Sequence, residues 1–349
     1  MFGPSQGIPQ PNSLPLFQGL DSLNLRQLAA GRMIENLMGL QFTKSSFLPQ
    51  LDTSQAQEYF HEGNVTDFVG TYFTRAHPRA RIVNEAYFDL ETISTPLLLS
   101  IFLLGAICCR SGNFAFLANR YSDMAEYTVF ENPTFLQLMY QKRESGTDCM
   151  TEYNIELIQA AIFIIVMQLS SSSAETRRRI RVQRYPALVF VARAVSLTQI
   201  KNQWHDATTP LDHLQFIENE TCIRYVLTFE SLALGLSKWL KIDRLMASIF
   251  SMDCHFVMFC NNPPYLTLAE MSFDLPTEET GFDLLDDTAW ELWAMNERRY
   301  PRPAPLNQFM QELLCDQWAG ADDTWFYNIN VFVMFIVISG EISSPMTEA

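Results

Sequence analysis

An apolar helical pattern that stops at a pair of prolines is the feature that most restricts how this chain can fold. The helical spacing is carried by Leu245, Ile249, Met252, Phe256 and Phe259. The pattern breaks at Asn261-Asn262-Pro263-Pro264, because proline fixes φ and lacks a backbone N–H. An acidic segment that ends in Leu275-Pro276 follows the break. We therefore expect a helix, a fixed turn and a second packing surface in this order.

Helical patterns cover most of the remaining chain, while alternating runs typical of strands are short. The predicted helices cover residues 23–40, 52–59, 65–73, 96–110, 114–130, 153–169, 174–197 and 222–240. A chain of 349 residues with 48% hydrophobic and 13% aromatic residues can bury a substantial core. The sequence thus predicts an all-α protein, a large helical domain with many packed helices.

Three apolar runs resemble membrane segments at first inspection. They cover residues 96–109, 155–169 and 331–338. Each run is shorter than the roughly 20 apolar residues that a spanning helix requires. We therefore expect buried core helices and no membrane partner, although a membrane-associated protein that uses the run at 331–338 remains an alternative.

The charge and the cysteines exclude several kinds of site. A net charge of −15 and a pI near 4.7 argue against a chain that holds phosphate backbones by itself. The seven cysteines are scattered and odd in number, which suits a reducing compartment. No Cys-x-x-Cys occurs, so neither a zinc finger nor a binuclear zinc cluster can be written from this sequence. We expect no metal and no cofactor in the chain.

Catalytic motifs are also missing from the sequence. There is no Gly-x-Gly-x-x-Gly, P-loop, Gly-x-Ser-x-Gly or His-Glu-x-x-His. Asp253, Cys254 and His255 are adjacent, but neighbouring residues on a helix point in different directions. We predict that the protein is not an enzyme and has no catalytic residues.

Two ordered motifs stand out along the chain. They contain Tyr72, Phe73, His77, Pro78, Arg244, Asp253, Pro263, Pro264, Leu268, Glu270, Leu275 and Pro276. Together they resemble the fungal-specific transcription factor domain, the middle homology region of zinc-finger transcription factors. The resemblance covers roughly residues 65–340. Family members often carry consecutive arginines and a Trp in the signature helix, whereas here Arg244 is followed by Leu-Met-Ala. In the family the acidic residue at the place of Asp253 caps or pairs within the core, and Arg244 is a candidate partner.

The resemblance implies a regulator in the nucleus that acts through its helical domain on a metabolic or biosynthetic gene set. It implies contact with the transcription machinery or a DNA-binding partner, with a small-molecule effector and a homodimer as further candidates. Zinc is expected only in a missing finger module, so direct DNA binding is not expected of this chain. The chain would be a truncated gene product or a factor that works through partners. A helical ligand-binding protein or enzyme without a recognisable motif is the alternative.

The domain division follows from the same resemblance. Residues 1–25 are rich in Pro, Gly, Ser, Asn and Gln and lack the apolar core of a secretory leader, so we expect a disordered arm. A helical lead-in at 26–64, the regulatory domain at 65–340 and a tail at 341–349 complete the division.

Two further segments each allow two interpretations. The basic run of Arg177, Arg178, Arg179, Arg181 and Arg184 is either a nuclear-import signal or a solvated first turn of a helix. The segment 282–293 interleaves acids with large apolar side chains. It is either an acidic activation motif or an amphipathic helix that buries Leu285, Trp290 and Trp293.

Overall fold

The computed structural model describes residues 22–44, 51–77, 82–85, 88–109, 112–140, 151–201, 209–223, 245–274, 284, 286–299 and 305–313. Within these ranges the chain is helical and contains no strand, which confirms the predicted all-α fold. The α-helices are α1 (Leu23–Lys44), α2 (Thr53–Tyr59), α3 (Glu62–Thr71), α4 (Thr95–Cys108), α5 (Gly112–Phe130), α6 (Pro133–Tyr140), α7 (Glu152–Leu169), α8 (Ala174–Arg179), α9 (Tyr185–Ala194), α10 (His213–Ile223), α11 (Leu245–Cys260), α12 (Asp287–Glu297) and α13 (Leu306–Leu313).

Helix α4 forms the centre of the fold and packs against α3, α5 and α7. Residues 96–106 of α4 are all buried, as expected for a helix that is apolar on every face. By length and composition α7 could cross a membrane, but 78% of it lies buried inside the protein. Both apolar runs are therefore core helices, as predicted, while the run at 331–338 lies outside the described residues.

The contact between α3 and α4 is unusually close. A Cβ placed on Gly105 would lie 1.9 Å from the carbonyl oxygen of Phe68, so the two backbones nearly touch. Aromatic rings surround this contact. Phe102 lies 5.0 Å from both Phe60 and Phe68, and Tyr121 lies 5.0 Å from Phe60, measured between ring centroids. Glycine at this position lets the aromatic core close around α4.

Capping residues explain where several helices begin and end. The Asp52 carboxylate accepts the N–H groups of Ser54 and Gln55 at 3.0 and 3.2 Å, so α2 begins immediately after it. Thr151 caps α7 in the same manner. At the end of α11, Asn261 adopts φ of 51°, a left-handed conformation that stops the helix. The predicted break before the two prolines is therefore confirmed.

Some helices differ from the prediction. The segment 174–197 is not one regular helix, because a π-helical turn at Ile180–Arg184 separates α8 from α9. A left-handed residue, Ser196 with φ of 61°, ends the segment. Helices α6, α10 and α13 were not predicted, apart from the last two residues of α10, which fall in the helix predicted at 222–240. Of the helix predicted at 222–240, residues 224–240 lie outside the described part of the chain.

The described core divides into a large and a small apolar cluster. The large cluster contains residues from α1 to α7, from α9, from α11 and from α13. The small cluster joins α10 to α12 through Phe216, Ile217, Trp290 and Ala294. Most of the arm at 1–25 and the whole tail at 341–349 lie outside the described residues. The domain boundaries stay a prediction.

Candidate functional site

The carboxylate of Asp253 holds the loop that follows α11. Its oxygens accept the N–H of Tyr265 at 3.1 and 3.0 Å and the N–H of Leu266 at 2.8 Å. Asp253 is only 2% exposed, so these bonds replace the water that a buried carboxylate loses. The acid thus fixes the turn after Pro263 and Pro264, whose side chains are exposed.

Arg193, in the last turn of α9, binds the same loop. Its Nε and Nη2 donate to the two carboxylate oxygens of Glu270 at 2.7 and 2.8 Å, and Nη2 also donates to the Tyr265 carbonyl at 2.6 Å. Glu270 also accepts the Thr267 N–H at 2.7 Å in a capping box. We call Arg193, Asp253, Tyr265 and Glu270 the latch. It joins α9 to α11 and to the loop that follows α11.

The two acids of the latch respond differently to their surroundings. Burial by itself would raise the pKa of Glu270, but hydrogen bonds from Arg193 and Thr267 outweigh it and lower that pKa below its ordinary value. Burial raises the pKa of Asp253, and the N–H groups of Leu266 and Tyr265 offset this only in part. Glu270 is therefore the firmly ionised member of the latch.

The opening motif of the resemblance forms a packing element. Tyr72–Ala76 is a π-helical turn that continues α3, and the N–H of His77 donates to the Tyr72 carbonyl. This turn brings the Tyr72 and His77 rings to 5.9 Å between centroids. The Nε2 atom of His77 lies 2.7 Å from the Val83 carbonyl oxygen. Tyr72, Phe73 and His77 are all buried, so the motif anchors the segment after α3 to the core.

The remaining signature residues are more dispersed. Leu268 is partly buried against the large cluster. Pro78, Arg244, Leu275 and Pro276 lie outside the described residues, so the pairing of Arg244 with Asp253 stays a prediction.

The structure adds two latch residues that the sequence analysis missed. Arg193 and Tyr265 received no role, although they connect Asp253 to Glu270. Arg193 and Glu270 are 77 residues apart, so no local spacing relates them. The only signal in the sequence was a lone arginine near the end of an otherwise apolar helix.

Two arginines of the basic run are tied to one buried acid and two partly exposed acids instead of being fully solvated. Arg179 donates to both carboxylate oxygens of Glu126 at 2.9 and 2.8 Å, and Arg184 donates to the same carboxylate at 2.7 Å. Glu126 is 0% exposed. Arg179 also pairs with Asp123, and Arg184 with Glu131, each at 3.1 Å. We call these five residues the Glu126 cluster.

The π-helical turn explains why both arginines reach one acid. Arg184 follows Arg179 by five positions, which is the i to i+5 hydrogen-bond spacing of the π-helical turn at Ile180–Arg184. The solvated-turn interpretation does not describe these two side chains. Arg177 donates to the Ser171 carbonyl, whereas Arg178 is exposed and Arg181 is half-buried. A nuclear-import role for the run stays a prediction.

The acidic and aromatic segment is a packed helix where the structure describes it. Trp290 of α12 is 0% exposed, and its ring stacks on His213 of α10 at 4.8 Å. Phe216 lies 5.3 Å from Trp290 and 5.6 Å from Trp293, measured between ring centroids. These contacts confirm the amphipathic-helix interpretation for Trp290 and Trp293. Leu285 lies outside the described residues.

Candidate metal ligands do not come together in the described part of the chain. No group of three His, Cys, Asp or Glu side chains there is arranged to hold a metal ion. Asp253 has a structural role, because its carboxylate accepts hydrogen bonds from the loop. Asp253, Cys254 and His255 do not form a metal-holding group. The expectation that the chain binds no cofactor stays a prediction.

Two fungal proteins are similar to this chain. Transcription factor verF of Penicillium polonicum is 26% identical over 277 residues, which cover 78% of this chain and 35% of that protein. Zinc finger protein zas1 of Schizosaccharomyces pombe is 21% identical over 261 residues, which cover 73% of this chain and 25% of that protein. No protein-family model matches the chain, and no solved structure matches it.

The similarity is therefore to fungal transcription factors as a group. The predicted likeness is confirmed at this level, while the particular domain family stays a prediction. One of the two relatives is named a transcription factor and the other a zinc finger protein, and neither name describes an enzyme, which fits the non-enzymatic role predicted from the sequence. The chain spans about a third of one relative and a quarter of the other.

Proposed function

We propose that this chain is the helical regulatory part of a fungal transcription regulator and that it controls a metabolic or biosynthetic gene set in the nucleus. The observation that carries the proposal is the pair of alignments, one with a transcription factor and one with a zinc finger protein. They cover 78% and 73% of this chain but only 35% and 25% of the relatives. This ratio is expected when one module is shared by proteins that also contain other modules.

The chain's own charges support a role without direct DNA contact. The net charge is −15, and nonspecific affinity for DNA depends on accessible Lys and Arg. Arg179 and Arg184 are held by Glu126, and Arg193 is held by Glu270. DNA contact is therefore assigned to a DNA-binding partner or to a separate finger module, and the chain to contacts with the transcription machinery.

A tethering experiment tests the proposed role. The whole chain is fused to an unrelated DNA-binding domain in a fungal host, and reporter transcript is compared with that from the DNA-binding domain alone. We expect the fusion to change transcription, and the change to disappear in an E126Q fusion whose buried cluster is broken. The E175Q fusion, altered at an exposed glutamate of α8, is the matched control and should behave as the parent. No change at equal protein levels would contradict the proposal.

Two further measurements test its finer parts. An electrophoretic shift assay with the isolated chain at physiological salt should show no band that survives competitor DNA. A surviving band would contradict the assignment of DNA contact to another module. Transcript profiling of a deletion strain should reveal changes concentrated in genes of metabolic enzymes, and an unrelated set would reject the proposed gene class.

A further inference from the structure

A cavity of about 860 Å³ lies beside the core, at the start of α7. Its described walls come from four places: residues 83–97, the first half of α7, the turn at 195–200 after α9, and α10. Small-molecule sites in proteins usually occupy about 300–1,000 Å³ and combine apolar walls with a few polar groups. The cavity has the size for one small organic molecule.

The charged groups of the cavity wall are all acidic. Asp89, Glu152 and Glu156 line the cavity, and none of the described lining residues is Lys, Arg or His. Arg32 is not among the described lining residues; its charge acts on Glu156, and its guanidinium donates to the Ile93 and Leu90 carbonyls at 3.0 and 2.6 Å. An anionic ligand would meet three carboxylates with no cation among the described walls to balance it.

The rest of the wall supplies apolar surface and one buried amide. Phe88, Ile93, Leu97 and Ile217 line the cavity and are each at most 5% exposed within the protein. Gln159, also in the wall and 4% exposed, donates its amide nitrogen to the Ile82 carbonyl at 2.9 Å. The amide oxygen of the same side chain is a hydrogen-bond acceptor, and we assign it to a ligand.

We propose that this cavity binds a small organic cation, an amine or a guanidine on an apolar body, and that Glu156 is its main charged partner. An ammonium group leaves water at little cost only where a carboxylate and further acceptors receive it. Glu156 and the amide oxygen of Gln159 provide these groups, and the apolar walls receive the body of the ligand. The inference deepens the proposed function by naming the class of effector, and it rests on that function only for the effect on transcription.

The environment of Glu156 fits this assignment. Its carboxylate accepts the Ser94 N–H at 2.9 Å. Burial raises its pKa, the bond from Ser94 partly opposes this, and the charge of Glu152 raises the pKa further. The surroundings of Glu156 therefore disfavour its ionised carboxylate, although the charge of Arg32 opposes this, and a cation bound beside Glu156 would offset the remaining cost.

The cavity wall also touches the segment that the latch holds. Val195, Ser196, Gln199 and Ile200 line the cavity directly after Arg193. The Ile200 carbonyl accepts the Asp274 N–H at 3.1 Å, in the segment that follows Glu270. A ligand that presses on this wall thus acts on a turn bonded to the signature loop, which gives binding a route to the rest of the domain.

Calorimetry on the purified full chain tests the site. The probes are phenethylamine and tryptamine, with 3-phenylpropanoate as the anion of matched size. We expect both amines to bind with a Kd of about 1 mM or tighter, and 3-phenylpropanoate at least about tenfold more weakly. Absence of saturable binding by both amines in this range, or equal binding of the anion, would overturn the proposal.

Variants separate the site from general stability. E156Q should weaken amine binding at least about tenfold, while E175Q, at an exposed glutamate of α8, should leave it unchanged. E156Q should unfold thermally at the parent temperature or higher, because it removes a half-buried charge whose pKa is raised by burial. Unchanged amine affinity in a folded E156Q would overturn the role of Glu156. Calorimetry tests only ligand binding in the cavity, and the tethered reporter tests only the role in transcription. Either proposal can therefore be rejected without the other.

Discussion

The Glu126 cluster and the latch both pair arginine with glutamate, but they differ in burial. Glu126 is 0% exposed and receives two arginines, whereas the side chains of Arg193 and Glu270 are 35% and 24% exposed. A buried charge without its partner is very costly, while a pair near water loses little when it opens. The comparison shows one region built to stay closed and a second region that can open at low cost.

Replacing the buried acid should produce the largest effect. E126Q keeps the shape of the side chain but leaves Arg179 and Arg184 without their shared charge. We expect the free energy of unfolding to fall by about 3 kcal/mol, the lower end for a broken buried ion pair, because Asp123 and Glu131 still each contact one arginine. Urea denaturation measures it, with E175Q as the exposed control. A loss below about 0.5 kcal/mol would remove the contrast between the two regions.

A substitution at the contact between α3 and α4 should have the next largest effect on the free energy of unfolding. G105A places a Cβ against the Phe68 carbonyl oxygen, so α3 and α4 must separate. We expect a loss of about 2 kcal/mol by thermal or urea unfolding. G31A is the matched control, because a Cβ at Gly31 of α1 meets nothing within 4 Å. It should raise stability by about 0.5 to 1 kcal/mol, and similar losses in both variants would show that the contact is not close.

Opening the latch should lower the free energy of unfolding by less than breaking the Glu126 cluster or the contact between α3 and α4. R193A removes the paired bonds to Glu270 and the bond to the Tyr265 carbonyl. We expect the free energy of unfolding to fall by about 1 to 1.5 kcal/mol, since both side chains are partly exposed. R178A, at an exposed arginine, should change it by less than about 0.5 kcal/mol. A loss in R193A as large as that in E126Q would make the two regions equivalent.

The smallest effect should appear as a dependence on pH. The pKa of Glu270 is lowered in the folded protein, so its contribution to stability is present above its ordinary pKa of 4.5. This contribution is lost as pH falls through the lowered value. The stabilities of the parent and of E270Q should therefore differ most near neutral pH and converge as the pH falls below 4.5 and through the lowered pKa. A gap that widened in acid would contradict the assigned direction of the shift.

Local physical rules made a large part of the fold predictable. The apolar runs in α4 and α7 identified core helices, because a helix that is apolar on every side has no polar face to turn toward solvent. Asn261 and the prolines after it identified the end of α11 because they restrict the backbone directly. The signature residues drew attention to the loop that contains Glu270. Each of these predictions depends on neighbours within a few positions.

Other features could not be read from neighbouring residues. The basic run suggested an exposed patch, yet Arg179 and Arg184 are bound to Glu126, more than 50 residues away in sequence. The same run gave no sign of the π-helical turn, which lets both arginines reach one acid. The cavity was equally hidden, because its walls come from separate segments between residues 83 and 219.

The sequence by itself determined the helical class, the core helices, the break after α11 and the similarity to fungal transcription factors. These properties follow from periodicity, backbone restrictions and the order of motifs, all of which are written along the chain. Only the tertiary structure decided which charges are paired, where the latch closes and where a cavity opens. Those features depend on distances between residues far apart in sequence, and packing sets these distances once the apolar surfaces are buried.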